Sequence, residues 1–285
     1  MEINKYIKNE IDSFNNDLDI FLNKYKTNTK LYKVMCYSMK NGGKRLRPII
    51  IKEVAKSLSL NKNQFLKSMI AIELVHSYSL IHDDLPCMDD DDYRRGRLST
   101  HKKYDEAQAI LAGNSLLTMA FNLLAQDSNP SLVELLSLLS GHDGLAGGQS
   151  LDVDTTEKKL NSKLIKKIHE QKTARLIEFC LAAPFIISNK SQKEINMSRK
   201  YGKIIGTVFQ IIDDVHDYEN KDNEYINFLN VMTKDDALVT WYSYEVDSNS
   251  LREKLLTNKK NRMILNENNE QNINQIFTQL ISETV

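Results

Sequence analysis

Cysteine, proline and glycine are all scarce in this chain of 285 residues, which holds 3, 4 and 10 of them respectively. The three cysteines are far apart and follow no metal-ligand spacing, so neither a disulfide framework nor a zinc site is indicated. An excess of one charge is also lacking, because 38 basic residues balance 38 acidic ones. This balance gives no reason to expect a nucleic-acid partner or an anionic membrane surface.

Signals for export or membrane insertion are missing as well. The N-terminal stretch MEINKYIKNEIDSFNND is charged throughout and lacks the apolar core of a signal peptide. We expect no later apolar run long enough to span a bilayer. Free cysteines suit a reducing compartment. These features together predict a cytoplasmic protein without stable membrane insertion.

Apolar residues recur at helical spacing along most of the chain, and no strand pattern is convincing. The sequence therefore predicts an all-α protein. No shift in composition marks a boundary, so one domain over residues 1–285 is the simplest expectation. The predicted helices cover residues 3–25, 28–41, 48–58, 62–83, 104–126, 131–147, 161–186, 192–217, 233–246 and 270–283.

The stretch NQFLKSMIAIELVHSYSLIHDD predicts a buried helix whose apolar face ends in polar groups. Steps of three or four residues place on that face Phe65, Met69, Ile72, His76, Ser79 and Asp83. A buried stripe that ends in a histidine, a serine and a carboxylate requires polar partners. The alternative interpretation of His76 is a core histidine with its hydrogen bonds satisfied, beside a solvated helix end.

The stretch HDDLPCMDDDDYRRGR concentrates aspartates and arginines directly after that helix. Pro86 disfavours helix at Leu85, so the chain can fold Asp89 back beside Asp83. Two carboxylates about 4 Å apart repel by roughly 4 kcal/mol at an effective dielectric constant of 20, so their convergence requires cations. Oxygen ligands favour Mg²⁺ or Ca²⁺, and the EF-hand pattern is absent. For aspartates 90–92 a solvated acidic loop is the favoured interpretation.

A second acidic group occurs in GTVFQIIDDVHDY. There Gln210, Asp213 and Asp217 are three and four residues apart and share a helix face, whereas Asp214 points about 100° away. Basic groups that could balance the acids are GGKRLRP at 42–48, the arginines at 94–95, and a lysine in HEQKTARL. Arginine and lysine bind phosphate oxygens, so these groups fit a diphosphate. No P-loop motif occurs.

Taken in order, these motifs resemble the trans-isoprenyl diphosphate synthases, or polyprenyl synthetases, and most of all the bacterial farnesyl diphosphate synthases. The matching motifs lie within about residues 32–218 and are GGKRLRP, SLIHDDLPCMDDDDYRRG, AILAGNSLL, GLAGGQSLD, HEQKTARL and FQIIDDVHDY. The resemblance implies a single-domain bundle of about ten or more helices around a deep central cavity, assembled as a homodimer. It also implies a reaction in which isopentenyl diphosphate condenses with dimethylallyl or geranyl diphosphate to give farnesyl diphosphate, by Mg²⁺-assisted ionisation and carbocation addition.

The same resemblance implies roles for individual residues. About three Mg²⁺ ions would be held by Asp83, Asp89 and Asp213, with Asp84 and Asp217 acting directly or through water. The positions that correspond to isopentenyl diphosphate binding are Lys44, Arg47, His76 and Arg95. The allylic diphosphate would be held by Arg94 and Lys172. Oxygen atoms that face the carbocation would come from Thr173 and Gln210, and the same cavity would be lined by Gln149 and Asp152.

Product length is expected to depend on Tyr78, five residues before Asp83, because its ring would shorten the pocket about one and a half helical turns below the metals. One departure from the family is the stretch after Asp217, YENKDNEYINFLNVMTKDDA, in which a usual loop is shortened and Lys221 is a candidate replacement contact.

Three alternatives stay open: a geranylgeranyl diphosphate synthase, a non-catalytic subunit that binds prenyl diphosphates, and a class I terpene cyclase. The cyclase is disfavoured, because it needs no GGKRLRP and usually has an asparagine-serine-glutamate second motif.

Overall fold

The structure, a computed structural model, describes residues 3–127, 129–155, 160–220, 227 and 230. Most of these residues are helical, which confirms the all-α prediction. The helices are α1 (Ile3–Lys24), α2 (Lys30–Met39), α3 (Leu46–Ser57), α4 (Lys62–Asp83), α5 (Thr100–Lys103), α6 (Glu106–Ala125), α7 (Pro130–Ser140), α8 (Leu145–Val153), α9 (Ser162–His169), α10 (Arg175–Ile187) and α11 (Gln192–Asn220). A π-helical segment, Glu170–Ala174, joins α9 to α10. A small hairpin consists of β1 (Tyr93–Arg94) and β2 (Arg97–Leu98).

Polar side chains at the expected N-cap positions begin several of these helices. Asp105 accepts a hydrogen bond of 2.7 Å from the backbone N–H of Gln108 at the start of α6. Asn161 does the same for Leu164 at the start of α9, at 3.0 Å. Each cap satisfies a backbone donor that the first helical turn leaves without a partner. Because Asp105 caps α6, the predicted helix 104–126 begins two residues later than expected.

The structure differs from the sequence prediction in several elements. The helix predicted over 131–147 is two helices, α7 and α8, separated by a turn in which the N–H of Gly144 bonds to the carbonyl of Gly141 at 3.0 Å. Glycine has low helix propensity, and two of them here end the helix. The helix predicted over 161–186 is continuous but contains the π-helical segment. The expectation of no strands is wrong for the short hairpin.

The hairpin owes its shape to a two-residue turn at Arg95 and Gly96. Both residues have positive φ, 54° and 73°, as a type I′ turn requires. This turn keeps the two strands in register, with Arg94 opposite Arg97. The side chain of Tyr37 fixes the hairpin from outside, because its hydroxyl donates to the carbonyl of Leu98 at 2.7 Å.

The chain divides into two compact units, described separately here. Unit 1 comprises Met1–Ile49 and Leu66–Val133. Within it α2 packs against α5 and α6, and α5 packs against α6. Its large, fully buried side chains are Phe14, Leu18, Leu22, Met39, Ile72, Leu74, Leu116, Leu124 and Leu132. Their burial supplies the hydrophobic stabilisation of this unit.

Helix α4 is buried on more than the one face that the sequence pattern indicated. Ile70, Ala71, Leu74 and Val75 are all at most 3% exposed, although they lie off the predicted stripe. A helix that is apolar on all sides is surrounded by other elements. The carboxylates at its C-terminal end are therefore attached to a buried helix.

Unit 2 comprises Ile50–Phe65 and Glu134–Val285. In its described part α10 packs along α11, and the π-helical segment packs against α8 and α11. Glu178, which is 3% exposed, joins two helices by accepting from Arg175 at 2.9 Å and from Arg199 at 2.8 Å. A buried carboxylate needs such paired cations, because an unpaired charge would be costly in the interior.

One described helix, α6, meets the length and composition of a membrane span, contrary to the expectation that no run would. It buries one face in unit 1, through Ala109, Ala112, Leu116, Ala120, Leu123 and Leu124. A core helix passes the same test, so this finding is weak evidence for membrane insertion.

The helices predicted over 233–246 and 270–283, and the shortened loop with Lys221, lie outside the described residues. The single-domain expectation stays a prediction.

Candidate active site

In unit 1, the backbone after α4 turns back on itself and brings Asp89 to Asp83. The N–H of Asp89 donates to the carbonyl of Asp83 at 2.8 Å, and the N–H of Met88 donates to the carbonyl of Leu85 at 2.8 Å. Pro86 lies at the centre of this turn, where helix is disfavoured. The prediction that the chain folds Asp89 back beside Asp83 is confirmed. Asp83 is 5% exposed, whereas Asp89 lies at the surface.

Asp84, the second aspartate of the motif, is engaged by an arginine. Nε and Nη2 of Arg94 both donate to Oδ1 of Asp84, at 2.8 and 2.5 Å, and Nη2 also donates to Asp91 at 2.8 Å. Burial lowers the pKa of Arg94, but the hydrogen bond and charge of Asp84, followed by the charge of Asp91, outweigh this and raise its pKa. The guanidinium is therefore permanently charged, and Nη1 has no hydrogen-bond partner among the described residues.

Arg95 lies at the hairpin turn and reaches the glycine-rich loop before α3. Its Nη1 donates to the carbonyl of Gly42 at 2.6 Å. Burial lowers the pKa of Arg95, and the neighbouring charges of Arg45, Arg47 and Arg94 lower it as well, against the opposing effect of Glu73. The structure thus brings together basic residues that are about fifty positions apart in sequence.

His76 lies within the field of these arginines. Its pKa is held well below the usual 6.5, first by burial and then by the charges of Arg47, Arg95, Arg45 and Arg94. The side chain keeps some exposed surface, yet desolvation is the largest influence. A neutral imidazole among arginines can donate to an anion without adding to the repulsion between cations.

A buried ion pair that the sequence analysis did not identify supports this basic loop. Arg45, which is 4% exposed, donates to Glu73 at 2.6 Å, to Asn15 at 3.0 Å and to the carbonyl of Met39 at 2.6 Å. The position of Arg45 between two candidate ligand residues was visible in the motif. Its partner, 28 residues away on α4, was not.

The other predicted residues of unit 1 lie around the same region. Lys44 is exposed, and Arg47 is partly buried. A small pocket with room for roughly one water molecule is lined in part by Asp84, Arg94 and Arg95. Tyr78 is 9% exposed, and its ring packs edge-on against His82 with 5.4 Å between ring centroids. Burial raises the pKa of Tyr78, followed by the charge of Asp83.

In unit 2, the π-helical segment carries Lys172 and Thr173. A Cβ on Gly148 of α8 would come within 2.5 Å of the backbone nitrogen of Lys172. A Cβ on Gly206 of α11 would come within 2.5 Å of the Cα of Ala174. The two glycines therefore allow both helices to approach the segment at backbone distance. A π-helical turn of this kind is common at functional sites.

This close approach places the two predicted residues next to different partners. Lys172 donates to Oδ2 of Asp152 on α8. Thr173 donates from its hydroxyl to Oε1 of Gln210 on α11 at 2.8 Å, and Nε2 of Gln210 donates to Asp214 at 3.3 Å. The side-chain amide of Gln210 is thus held from both ends, with its carbonyl oxygen beside Thr173.

Asp214 has a structural position that differs from that of Asp213. It is 3% exposed, lies 3.7 Å from Nε2 of His169, and its carbonyl accepts from Asn227 at 2.7 Å. Asp213 and Gln149 are partly buried. The backbone of Asp217 lies in α11, whereas its side chain is outside the described residues. The contacts of Asp214 depend on residues far away in sequence, so the spacing in FQIIDDVHDY could not reveal them.

The donor chemistry of these residues fits Mg²⁺. The turn after α4 carries carboxylate oxygens on Asp83 and Asp89, and α11 carries another on Asp213. Mg²⁺ prefers oxygen ligands and keeps several waters, so one or two carboxylates per ion are sufficient. Asp84 is bound to Arg94, which makes it a less direct ligand than the sequence suggested.

Comparisons with known proteins identify the family of this chain. Residues 28–236 match the family model described as Polyprenyl synthetase. The chain is 43% identical to the farnesyl diphosphate synthase of Micrococcus luteus over 204 residues, which is 70% of each chain. It is 36% identical to that of Bacillus subtilis over 231 residues, 78% of each chain.

A solved structure extends the likeness to the fold. A crystal structure of geranyltransferase from Helicobacter pylori aligns with 98% of this chain and 99% of its own, with a TM-score of 0.81 and 28% identity. The family model covers well over half of the chain, and it spans both the aspartate turn after α4 and the acidic end of α11. This protein belongs to the polyprenyl synthetase family.

Proposed function

We propose that this protein is a short-chain trans-prenyltransferase of the farnesyl diphosphate synthase type. It joins isopentenyl diphosphate to dimethylallyl or geranyl diphosphate and makes farnesyl diphosphate. The observation that carries this proposal is the turn in which the N–H of Asp89 bonds to the carbonyl of Asp83, with Arg94 beside it. Relatives named farnesyl diphosphate synthase, at up to 43% identity, support the same activity.

The first chemical step is departure of diphosphate from the allylic carbon. Negative charge grows on the leaving oxygens. Groups that interact more strongly with this charge in the transition state than with the bound substrate accelerate the step. About three Mg²⁺ ions, when bound, act as Lewis acids on these oxygens. The residues that would hold these ions are Asp83, Asp89, Asp213 and Asp217, and Asp84 would act mainly through Arg94.

Arg94 holds the allylic diphosphate in this proposal. Asp84 and Asp91 fix two of its nitrogens, which leaves Nη1 able to donate to a phosphate oxygen. Because the guanidinium is already oriented, little side-chain entropy is lost on binding. Lys172, oriented by Asp152, contributes a second positive charge. Support for these roles comes from the contacts and from the motif match.

The carbocation that remains is stabilised by oxygen atoms. Thr173 donates to Oε1 of Gln210, and this fixes the amide with its carbonyl oxygen in a defined direction. An oriented carbonyl dipole stabilises a positive charge without reorganisation at the moment of reaction. Gln149 lines the same cavity in this proposal.

Isopentenyl diphosphate does not ionise, so it needs cations but no metal. Lys44, Arg47, His76 and Arg95 bind it in this proposal. Arg95 is bound at Nη1 to Gly42, and its Nε and Nη2 have no partner among the described residues. The low pKa of His76 keeps its ring neutral, so it serves as a hydrogen-bond donor.

Product length is limited by Tyr78. Its buried ring lies on α4 five residues before Asp83, which is about one and a half helical turns. A growing chain that starts near Asp83 would meet the ring after a limited number of carbons. The proposal of fifteen carbons depends on this position.

The active form proposed is a cytoplasmic homodimer. Ile110 and Leu111 on α6 are 42% and 49% exposed, and adjacent apolar side chains of this size favour burial against a second copy. The same contact would explain why α6 is apolar enough to resemble a membrane span.

The test is chromatography of products formed from isopentenyl diphosphate with dimethylallyl or geranyl diphosphate. Farnesyl diphosphate that appears with Mg²⁺ and disappears on chelation is the expected result. A twenty-carbon product would instead identify a geranylgeranyl diphosphate synthase. Cyclised hydrocarbon from the allylic substrate alone would identify a terpene cyclase. Absence of any condensation would leave a non-catalytic prenyl-diphosphate-binding subunit.

A further inference from the structure

Three side chains next to the aspartate turn form a compact group that the proposed reaction does not use. Ligand atoms of Asp90, Asp92 and His101 all lie within 4.8 Å of one another. Asp90 and Asp92 are exposed, whereas His101 is 6% exposed. The sequence favoured a solvated loop for these aspartates, and it offered no partner for them. The proximity of His101, nine positions after Asp92 in the chain, changes that interpretation.

His101 is the observation that points to a ligand. Its Nδ1 lies 3.1 Å from the hydroxyl of Ser99, whereas its Nε2 is buried and has no hydrogen-bond partner among the described residues. A buried ring nitrogen without a partner costs free energy. When one ring nitrogen is held by a hydrogen bond, the other is typically the one that binds a metal.

The two carboxylates are held in place by the backbone around them. The N–H of Asp90 donates to the carbonyl of Leu85 at 3.1 Å, and the carbonyl of Asp92 accepts from the N–H of Ser99 at 2.9 Å. Oδ1 of Asp92 lies 2.7 Å from Nζ of Lys102, which leaves its other oxygen for a cation. Both carboxylates are thus fixed near the histidine with oxygen atoms to spare.

We propose that Asp90, Asp92 and His101 bind one divalent transition-metal cation, such as Mn²⁺ or Zn²⁺. An imidazole nitrogen with two carboxylates suits these ions, whereas Mg²⁺ and Ca²⁺ take oxygen ligands. Waters complete the coordination, because both carboxylates face solvent. This site shares no residue with the proposed Mg²⁺ site, and it does not depend on the proposed reaction.

A bound cation would connect the acidic loop to α5. Asp90 directly follows Asp89, and His101 lies in α5, so the ion would cross-link the end of the aspartate turn to a helix of unit 1. It would also relieve the repulsion among neighbouring aspartates. The site therefore stabilises the loop that carries Asp89.

The experiment titrates the whole protein with MnCl₂ in the absence of any diphosphate and follows free Mn²⁺ by electron paramagnetic resonance. The expected result is one Mn²⁺ per chain that is bound by the imidazole. The electron spin echo of this bound ion should be modulated by the ¹⁴N nucleus of the ring. Excess Mg²⁺ should leave this ion in place, since a site with a nitrogen ligand favours the transition metal. Displacement of every bound Mn²⁺ by Mg²⁺, or absence of nitrogen coupling from the ion that remains bound, would overturn the proposal.

Variants locate the ion. Asp90→Asn lies at the surface and at a positive φ of 53° that asparagine tolerates, so the fold should persist. It should weaken Mn²⁺ binding by about tenfold or more, because a neutral amide replaces a charged carboxylate ligand. His101→Gln should abolish the nitrogen signal. The matched control is His142→Gln, an exposed histidine 3.4 Å from Asp143, which should bind as the unmodified protein does. Unchanged binding in Asp90→Asn would contradict the assignment.

Discussion

The backbone N–H of Asp89 lies 2.8 Å from the backbone carbonyl of Asp83, so two carboxylates six positions apart share one tight turn. Asp83→Asn removes one charge from this pair and keeps the side-chain shape. We expect turnover to fall by about 10²-fold or more, because the Mg²⁺ ions that stabilise the leaving diphosphate lose a charged ligand. Steady-state rates and the circular dichroism spectrum measure activity and fold separately. Asp143→Asn, an exposed carboxylate in the turn before α8, is the control and should retain turnover.

Arg94 is expected to bind diphosphate with a geometry that lysine cannot copy. Arg94→Lys keeps the charge but cannot bond Asp84 with two nitrogens and still present a third. The KM for the allylic diphosphate should rise by about tenfold to a hundredfold, the value of one charged hydrogen bond. Arg97→Lys is the control in the same hairpin, since Arg97 lies over the ring of Tyr37 at 4.5 Å. Equal KM values for the two variants would show that Arg94 does not bind the allylic diphosphate.

Tyr78 should set product length through its ring and not through its hydroxyl. Tyr78→Ala opens space on α4 below Asp83, so products longer than fifteen carbons are expected. Tyr78→Phe keeps the ring and should leave the product unchanged. Chromatography of the extracted products distinguishes the two. If the alanine variant still stops at the same length, another residue limits the chain.

His76 should make stability depend on pH. Its pKa lies well below 6.5 in the folded protein, mainly through burial and then through Arg47 and Arg95. Below about pH 6.5 the unfolded chain binds a proton that the folded chain does not, so the free energy of unfolding decreases as pH falls towards the folded pKa. The slope is at most about 1.4 kcal/mol per pH unit, and the contribution of this group disappears within about one pH unit above 6.5.

Urea denaturation from neutral pH down to about pH 5 measures that slope. His76→Gln should flatten the profile relative to the unmodified protein. The exposed His142→Gln serves again as control and should keep the original slope. Identical profiles in all three proteins would show that His76 titrates normally.

Gly206 should be required by the packing of α11 on the π-helical segment. Gly206→Ala would place a methyl group 2.5 Å from the Cα of Ala174. Forcing the two backbones apart should cost about 1–3 kcal/mol of unfolding free energy. Lys200→Ala, at an exposed position of the same helix, should change stability by less than about 0.5 kcal/mol. Thermal unfolding of both variants provides the comparison.

Features determined by local sequence were predictable. The turn at Pro86 and the end of α4 follow from a proline and a helical period, and both are confirmed. The hairpin was missed, because its turn has Arg95 at a positive φ where a glycine or asparagine would have been a stronger signal. The break between α7 and α8 coincides with Gly141 and Gly144, whereas the apolar spacing alone predicted one continuous helix.

Features that depend on distant residues were not predictable. The pairing of Arg45 with Glu73 joins positions 28 residues apart, and the approach of His101 to the acidic loop depends on how the hairpin places α5. The π-helical segment is invisible to apolar spacing, since one wider turn within a long helical pattern alters it only slightly. The contact of Asp214 with His169 was not predictable either, because His169 belongs to another helix.

Lys172 and Thr173 are adjacent in the chain, yet one contacts α8 and the other contacts α11. Both contacts therefore depend on the winding of a single turn of backbone. If that turn tightened to ordinary α-helical winding, the cationic group and the hydroxyl would rotate away from their partners together. A change in this one turn would thus impair at once the two proposed roles, charge neutralisation and cation stabilisation. Single substitutions elsewhere in either helix could not restore them separately.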